Sequence, residues 1–168
     1  KGNITRLGSD NMLMTNVHIG HNCNIGNNIV MANMVHIAGH VEVEDKAILG
    51  GLSGIHQFVR LGAGTMTGGY SRLIQDVPPF LLCDGNPAYV RGLNIVGLKR
   101  RGVKLPEIKV LKEAYKLLYR SGLNTKQALK EIESLPKSEQ LEHLVRFITA
   151  DSSRGISKKS DTEAASDD

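Results

Sequence analysis

The stretch HIGHNCNIGNNIVMANMVHIAGH, residues 18–40, decides the fold, because a six-residue period runs through it and continues on both sides. Stepping by six gives Leu7, Leu13, Ile19, Ile25, Met31, Ile37, Val43, Leu49, Ile55, Leu61, Thr67 and Leu73, all but Thr67 aliphatic or methionine. The next position along is mostly glycine or alanine, as at Gly8, Gly20, Gly26, Ala32, Ala38 and Gly50. Four residues after each aliphatic comes another mostly small side chain, from Val17 and Cys23 on to Val77. An amphipathic helix repeats near 3.6 residues and a half-buried strand near two, so neither explains a period of six. Unbroken register across residues 7–78 predicts a parallel β-helix, each hexad one short strand and a turn, three hexads closing a triangular coil of 18 residues. Glycine or alanine in the second column fits backbone that a larger Cβ would crowd.

Pro78-Pro79 ends the register, since proline removes ladder donors. The β-helix is therefore placed at 1–79. Residues 80–103 are expected to form a connector, with a turn at Asp84–Pro87 and a short helix over Asn94–Arg101 stopped by Gly102. A C-terminal helical domain follows at 104–150. Its first helix runs from Pro106 to about Ser121 with Ile108, Leu111, Tyr115 and Leu118 on one face, and Gly122 stops it. A second runs from Asn124 or Thr125 to Ser134, and a third follows Pro136 with Leu141, Leu144, Val145 and Ile148 as its stripe. The ending DTEAASDD is acidic and poor in apolar residues, which predicts a disordered tail over 151–168.

Composition narrows the function classes. Eighteen glycines and no tryptophan fit many regular tight turns. Lysine and arginine exceed aspartate and glutamate by only 21 to 17, an excess that does not argue for nucleic acid. The basic groups are clustered, though, with Lys99, Arg100, Arg101 and Lys104 close together. No apolar run approaches the ~20 residues of a membrane span, and no secretory leader is read. Cys23 and Cys83 sit in unrelated contexts, which points to a reducing, cytoplasmic setting. The first residue is Lys, as expected of a truncated or processed N-terminus.

The coil turns the histidines into geometry. Residue n should lie beside n+18, one strand spacing or ~4.8 Å away. His18 then stacks on His36, Asn22 on His40, Gly39 over His21 and Gln57 over Gly39, while His56 shares a column with Ala38 and Gly20. Five of the six histidines thus share one corner of the prism, and His143 is expected to be a plain surface residue. Two chemistries fit. In one, His21 is a general base for a substrate hydroxyl, Asn22 or a carbonyl holds its tautomer, and the Gly39 N–H faces a developing oxyanion. In the other, three imidazoles bind zinc and leave a fourth position open, with His36 near enough to His18 or His40 to share the metal. The basic cluster at 99–104 favours a phosphate-bearing substrate, which zinc chemistry would not use.

HIGHNC, HIAGH at 36–40, GIHQF at 54–58, QDVPPF at 75–80, GNPA at 85–88 and GLNIVGLKRRG at 92–102, in this order, resemble the UDP-N-acetylglucosamine O-acyltransferases. The resemblance extends to about residue 150. It implies homotrimers of left-handed β-helices with a C-terminal helical cap, and a chain lacking that family's first coils. It implies transfer of an (R)-3-hydroxyacyl chain from acyl carrier protein to the 3-hydroxyl of UDP-N-acetylglucosamine, the first step of lipid A biosynthesis, without a cofactor or metal. By the same resemblance His21 is the base and Gly39 the oxyanion amide. His18, His40, His56 and Gln57 contact sugar nucleotide or acyl chain, Gly69 caps the acyl groove, and Asn94, Arg100 and Arg101 hold nucleotide and phosphates. Arginine suits phosphate through its planar fork. Asn22 stands where the family carries Asp; an amide can orient imidazole but stabilises imidazolium less, which predicts a lower rate. Val96 replaces an acidic nucleotide contact. The alternatives are a zinc enzyme like the γ-carbonic anhydrases and a non-catalytic trimeric scaffold.

Overall fold

The computed structural model describes residues 3–159. Strands of two residues recur every six positions and stack into three parallel sheets, the faces of a solenoid of about four turns. The first face holds β1 (Arg6–Leu7), β4 (Asn24–Ile25), β7 (Glu42–Val43) and β10 (Arg60–Leu61). The second holds β2 (Met12–Leu13), β5 (Val30–Met31), β8 (Ile48–Leu49) and β11 (Met66–Thr67). The third holds β3 (His18–Ile19), β6 (His36–Ile37), β9 (Gly54–Ile55) and β12 (Arg72–Leu73). Register is n to n+18 throughout, with Arg6 on Asn24, Met12 on Val30 and His18 on His36.

The two apolar columns of the repeat point inward. Ile25, Met31, Ile37, Leu49 and Leu61 are buried in one column, and Ile29, Val35, Val41 and Val59 in the other. Each such side chain contributes about 1.5–3 kcal/mol on leaving water, six of them to a coil, and this burial is the main favourable term holding the coils together. Leu7 and Leu13, in the first coil, remain exposed because no described coil lies beneath them.

The corners hold a feature that the hexad did not reveal. One residue per hexad takes a left-handed conformation: Asp10, Asn16, Asn22, Asn28, Met34, His40 and onward to Tyr70, with φ near +60°. Only Gly64 in this column is glycine. Left-handed backbone costs a side-chain-bearing residue about 1–2 kcal/mol. From Asn28 to Tyr70 the offset is a hydrogen bond from the amide of each to the coil beneath, as in His40 N–H to His21 C=O at 2.9 Å. The glycine column is small for another reason: a Cβ on Gly20 would come within 2.7 Å of the Ala38 backbone, and one on Gly50 within 2.5 Å of Gly68.

Beyond Pro79 the chain departs from the expected connector. β13 (Leu81–Gly85) and β14 (Ala88–Leu93) form an antiparallel hairpin that extends the second sheet, with Met66 paired to Leu82 and Thr67 to Cys83. Alternate residues Leu81, Cys83, Ala88 and Val90 are buried, which is the pattern of a strand with one face on a core. Four helices follow: α1 (Ile95–Arg100), α2 (Leu105–Tyr119), α3 (Thr125–Ile132) and α4 (Glu139–Thr149). Asn94, Asn124 and Ser138 cap α1, α3 and α4 by accepting from the backbone one turn in. Ile108, Leu111, Tyr115, Leu141 and Leu144 are buried as their spacing predicted, and Phe147 joins them.

Two expectations are corrected here. Residues 151–159, placed in a disordered tail, run back along the solenoid and bridge Asp76 through Ile156 and Val90 through Lys159; the rest of that tail lies outside the described residues. His143 is not a plain surface residue. Its Nε2 sits 2.8 Å from Glu44 Oε2 and its ring stands edge-on to Phe80, which ties α4 to the solenoid.

Candidate active site

The turn from the third face to the first carries residues 20–23, 38–41 and 56–59, stacked in that order. In the lowest of these turns Asn22 has φ +61°, a conformation asparagine tolerates better than most residues. That backbone swings its amide towards the preceding ring, and Asn22 Oδ1 accepts from His21 Nδ1 at 2.7 Å. With Nδ1 carrying the proton, Nε2 keeps its lone pair. Nε2 lies against Gly39 of the coil above, where a Cβ would stand only 2.6 Å from it. Gly39 is needed here for close approach rather than for an unusual φ. His40 stands edge-on to His21 at 5.1 Å and stacks on Phe58 at 4.8 Å, so the imidazole is braced from the coil above.

On another edge, side chains take three of the amides equivalent to that of Gly39. Ser9 N–H donates to Asn27 Oδ1, Asn27 N–H to Asp45 Oδ1, and Ala63 N–H to Glu44 Oε2, at 2.7–2.8 Å. Gly39 C=O accepts from Phe58 N–H, but the Gly39 N–H forms no hydrogen bond among the described residues. The His21 ring and a glycine whose amide has no partner therefore sit in contact, one coil apart. Cys23 is close in sequence but points inward, and burial raises its thiol pKa, so it is no nucleophile.

The other candidates divide among different edges. His18 and His36 pair on the third face, rings edge-to-face at 6.1 Å, beside the His21 turn. His56 and Gln57 occupy the same turn two coils above His21 and are exposed. Gly69 is exposed at the turn between second and third faces, with only the Gly51 carbonyl near its Cβ position. Asn94, Arg100 and Arg101 dock at the turn between first and second faces. There Asn94 donates through Nδ2 to Gly64 C=O at 3.1 Å and accepts from Gly97 N–H at 2.9 Å, so both ends of its amide hold α1 in place. Arg101 Nε donates to Gly97 C=O, its guanidinium lies over the Phe80 ring, and burial lowers its pKa from its usual very high value. Arg100 is exposed in a cavity of about 590 Å³ that Val96, Ile48 and Met66 also line. Among the described residues no three His, Cys, Asp or Glu side chains converge as a metal site.

Sequence reasoning missed Arg154, whose guanidinium reaches His56 and Gln57 in the His21 turn. Nothing in the repeat signals it, because it lies 98 residues further along the chain.

Fold and site define a hexapeptide-repeat parallel β-solenoid in which one edge sets an exposed imidazole against a glycine of the next coil. A family profile described as "Udp N-acetylglucosamine O-acyltransferase; Domain 2" matches residues 76–157. An acyl-[acyl-carrier-protein]--UDP-N-acetylglucosamine O-acyltransferase of Burkholderia orbicola is 46% identical over 158 residues, covering 91% of this chain and 60% of the relative. Among solved structures, the UDP-N-acetylglucosamine acyltransferase of Campylobacter jejuni superposes with a TM-score of 0.86 at 42% identity, covering 93% of this chain and 61% of its own. That of Francisella novicida superposes with a TM-score of 0.87 at 39% identity, covering 96% and 61%. Across nine-tenths of its length the chain is a homologue of the UDP-N-acetylglucosamine O-acyltransferases, and it spans about 60% of the length of the curated relatives it matches.

Proposed function

We propose that the protein carrying this chain transfers an (R)-3-hydroxyacyl group from acyl carrier protein to the 3-hydroxyl of UDP-N-acetylglucosamine, opening lipid A biosynthesis in the cytoplasm. The observation that carries this reading is the His21 pair: Nδ1 bonded to Asn22 at 2.7 Å and Nε2 set against Gly39 of the next coil. His21 Nε2 takes the proton of the sugar hydroxyl as its oxygen attacks the thioester carbonyl. The carbonyl oxygen, now anionic, accepts from the Gly39 N–H. Collapse breaks the C–S bond, and His21 returns the proton to the departing carrier thiolate. Asn22 keeps the ring in the tautomer that can accept.

His18, His40, His56 and Gln57 are assigned to the sugar nucleotide and acyl chain, Gly69 to the end of the acyl groove, and Asn94, Arg100 and Arg101 to the nucleotide and phosphates. These groups occupy three different edges of one solenoid. A three-fold assembly of left-handed coils would set the His21 edge of one subunit against the Arg100 edge of the next, so the homotrimer is part of the proposal. The second face supports it: Met12, Ile48 and Met66 form an exposed apolar stripe of the kind that a second copy covers. No described helix is long and apolar enough to cross a membrane.

The test is acyl transfer by the purified protein with UDP-N-acetylglucosamine and acyl carrier proteins of different chain length. Formation of the 3-O-acyl sugar nucleotide supports the reading. Carbon dioxide hydration dependent on bound zinc, or no turnover from a folded trimer, would favour the zinc enzyme or the scaffold instead.

A further inference from the structure

The segment after α4 is anchored by one buried carboxylate. Asp76 is fully buried; its Oδ1 accepts from Arg60 N–H at 2.8 Å, and its Oδ2 from Arg60 Nε at 2.7 Å and Ser152 Oγ at 2.6 Å. Its backbone donates to Gly155 C=O and accepts from Ser157 N–H. Ser152 Oγ in turn accepts from the amides of Arg154 at 3.1 Å and Gly155 at 2.8 Å. Gly155, at φ +65°, closes this turn. The result is a pinned loop with one long side chain at its tip. Arg154 Nε donates to Gln57 C=O at 2.9 Å, and Nη2 donates to His56 Nδ1 at 2.6 Å.

That last contact fixes a tautomer. His56 Nδ1 also lies 3.3 Å from Gln57 C=O, which could only accept from it. The guanidinium has donors only, is the nearer partner at 2.6 Å and itself donates to that carbonyl through Nε, so His56 Nδ1 offers it a lone pair and the ring proton sits on Nε2. His21 has the opposite arrangement, because an amide oxygen at its Nδ1 leaves Nε2 as an acceptor. Two imidazoles on one edge are thus assigned opposite roles by the polarity of their Nδ1 partners. We propose that Arg154 is a positioning residue, which holds His56 as a neutral imidazole with Nε2–H ready to donate to an oxygen of the sugar nucleotide. The contact to substrate rests on the function proposed above; the tautomer does not.

The experiment labels the histidine rings with 15N in the purified full chain and assigns His56 by comparison with H56Q. Long-range proton–nitrogen spectra should show a single His56 tautomer protonated at Nε2. In R154A that signature should relax to the mixed tautomers of free imidazole, while the other histidines and the circular dichroism stay unchanged. In the acyl-transfer assay R154A should raise KM for UDP-N-acetylglucosamine roughly tenfold, the worth of one well-placed hydrogen bond, with a smaller effect on kcat. R154K, which keeps one donor, should recover part of the loss. An unchanged His56 signature in R154A overturns the proposal whatever the activity, and so does a changed signature with unchanged KM. A changed signature in a protein with no acyl transfer at all retires the function reading and leaves the tautomer assignment standing.

Discussion

Two edges of the same coil show what a repeat can be made to do. On the edge between first and second faces, side chains seal the backbone: Asn27, Asp45 and Glu44 take the amides of Ser9, Asn27 and Ala63, and His143 caps Glu44. On the edge between third and first faces the equivalent Gly39 amide is left without a partner among the described residues, above the His21 imidazole. The backbone path is the same in both, down to the left-handed residue and its bond to the coil beneath. The sealed edge gives stability and a seat for the helices. The open one keeps an unsatisfied donor where, in the proposed reaction, charge would develop, a local cost that a reacting site can carry.

That contrast can be broken from either side. Gly39→Ala should have the largest of the following effects, because its Cβ would displace the exposed His21 ring rather than the core. Alanine keeps the N–H but pushes the ring off it, and acyl transfer should fall by ~10²–10³, a loss of the size that removing one oxyanion donor causes, with the melting temperature kept. Full activity in that variant would mean that neither the amide nor the ring position matters. Asn22→Asp should sharpen the same edge. Aspartate tolerates the left-handed backbone, and a charge-assisted bond to Nδ1 stabilises imidazolium by ~1 kcal/mol more, or about fivefold in kcat. A rate equal to wild type or below it would show that Asn22 already serves as well as a carboxylate. On the sealed edge Glu44→Ala should leave kcat unchanged and cost about 1–2 kcal/mol by orphaning the half-buried Ala63 amide and releasing His143. For a chain of this size that is a drop of a few degrees in melting temperature. Loss of activity without loss of stability would move the functional boundary to this edge.

How much of this was legible in the sequence depends on range. The coil and its n+18 register were, because a strict period fixes neighbours without knowledge of tertiary contacts. Hence His18 under His36 and His21 under Gly39 could be read directly, and the start of α3 at Asn124 or Thr125 followed from local chemistry. The left-handed column was half visible in Asp10, Asn16, Asn22 and Asn28, then hidden where Met34, Leu52 and Phe58 hold the same conformation through bonds to the coil below. The hairpin at 81–93 was missed because short apolar alternation beside prolines looks like a loop until a sheet edge receives it. His143 with Glu44, and Arg154 with His56, join positions about a hundred residues apart and left no local trace.

The central claim is that His21 is the base, and His21→Ala tests it most directly. The variant should keep the solenoid, since the ring is exposed and the β-stack does not use it, yet lose acyl transfer from acyl carrier protein to UDP-N-acetylglucosamine by at least ~10²–10⁴ in kcat. A folded His21→Ala protein that turns over within a few-fold of wild type would contradict the account.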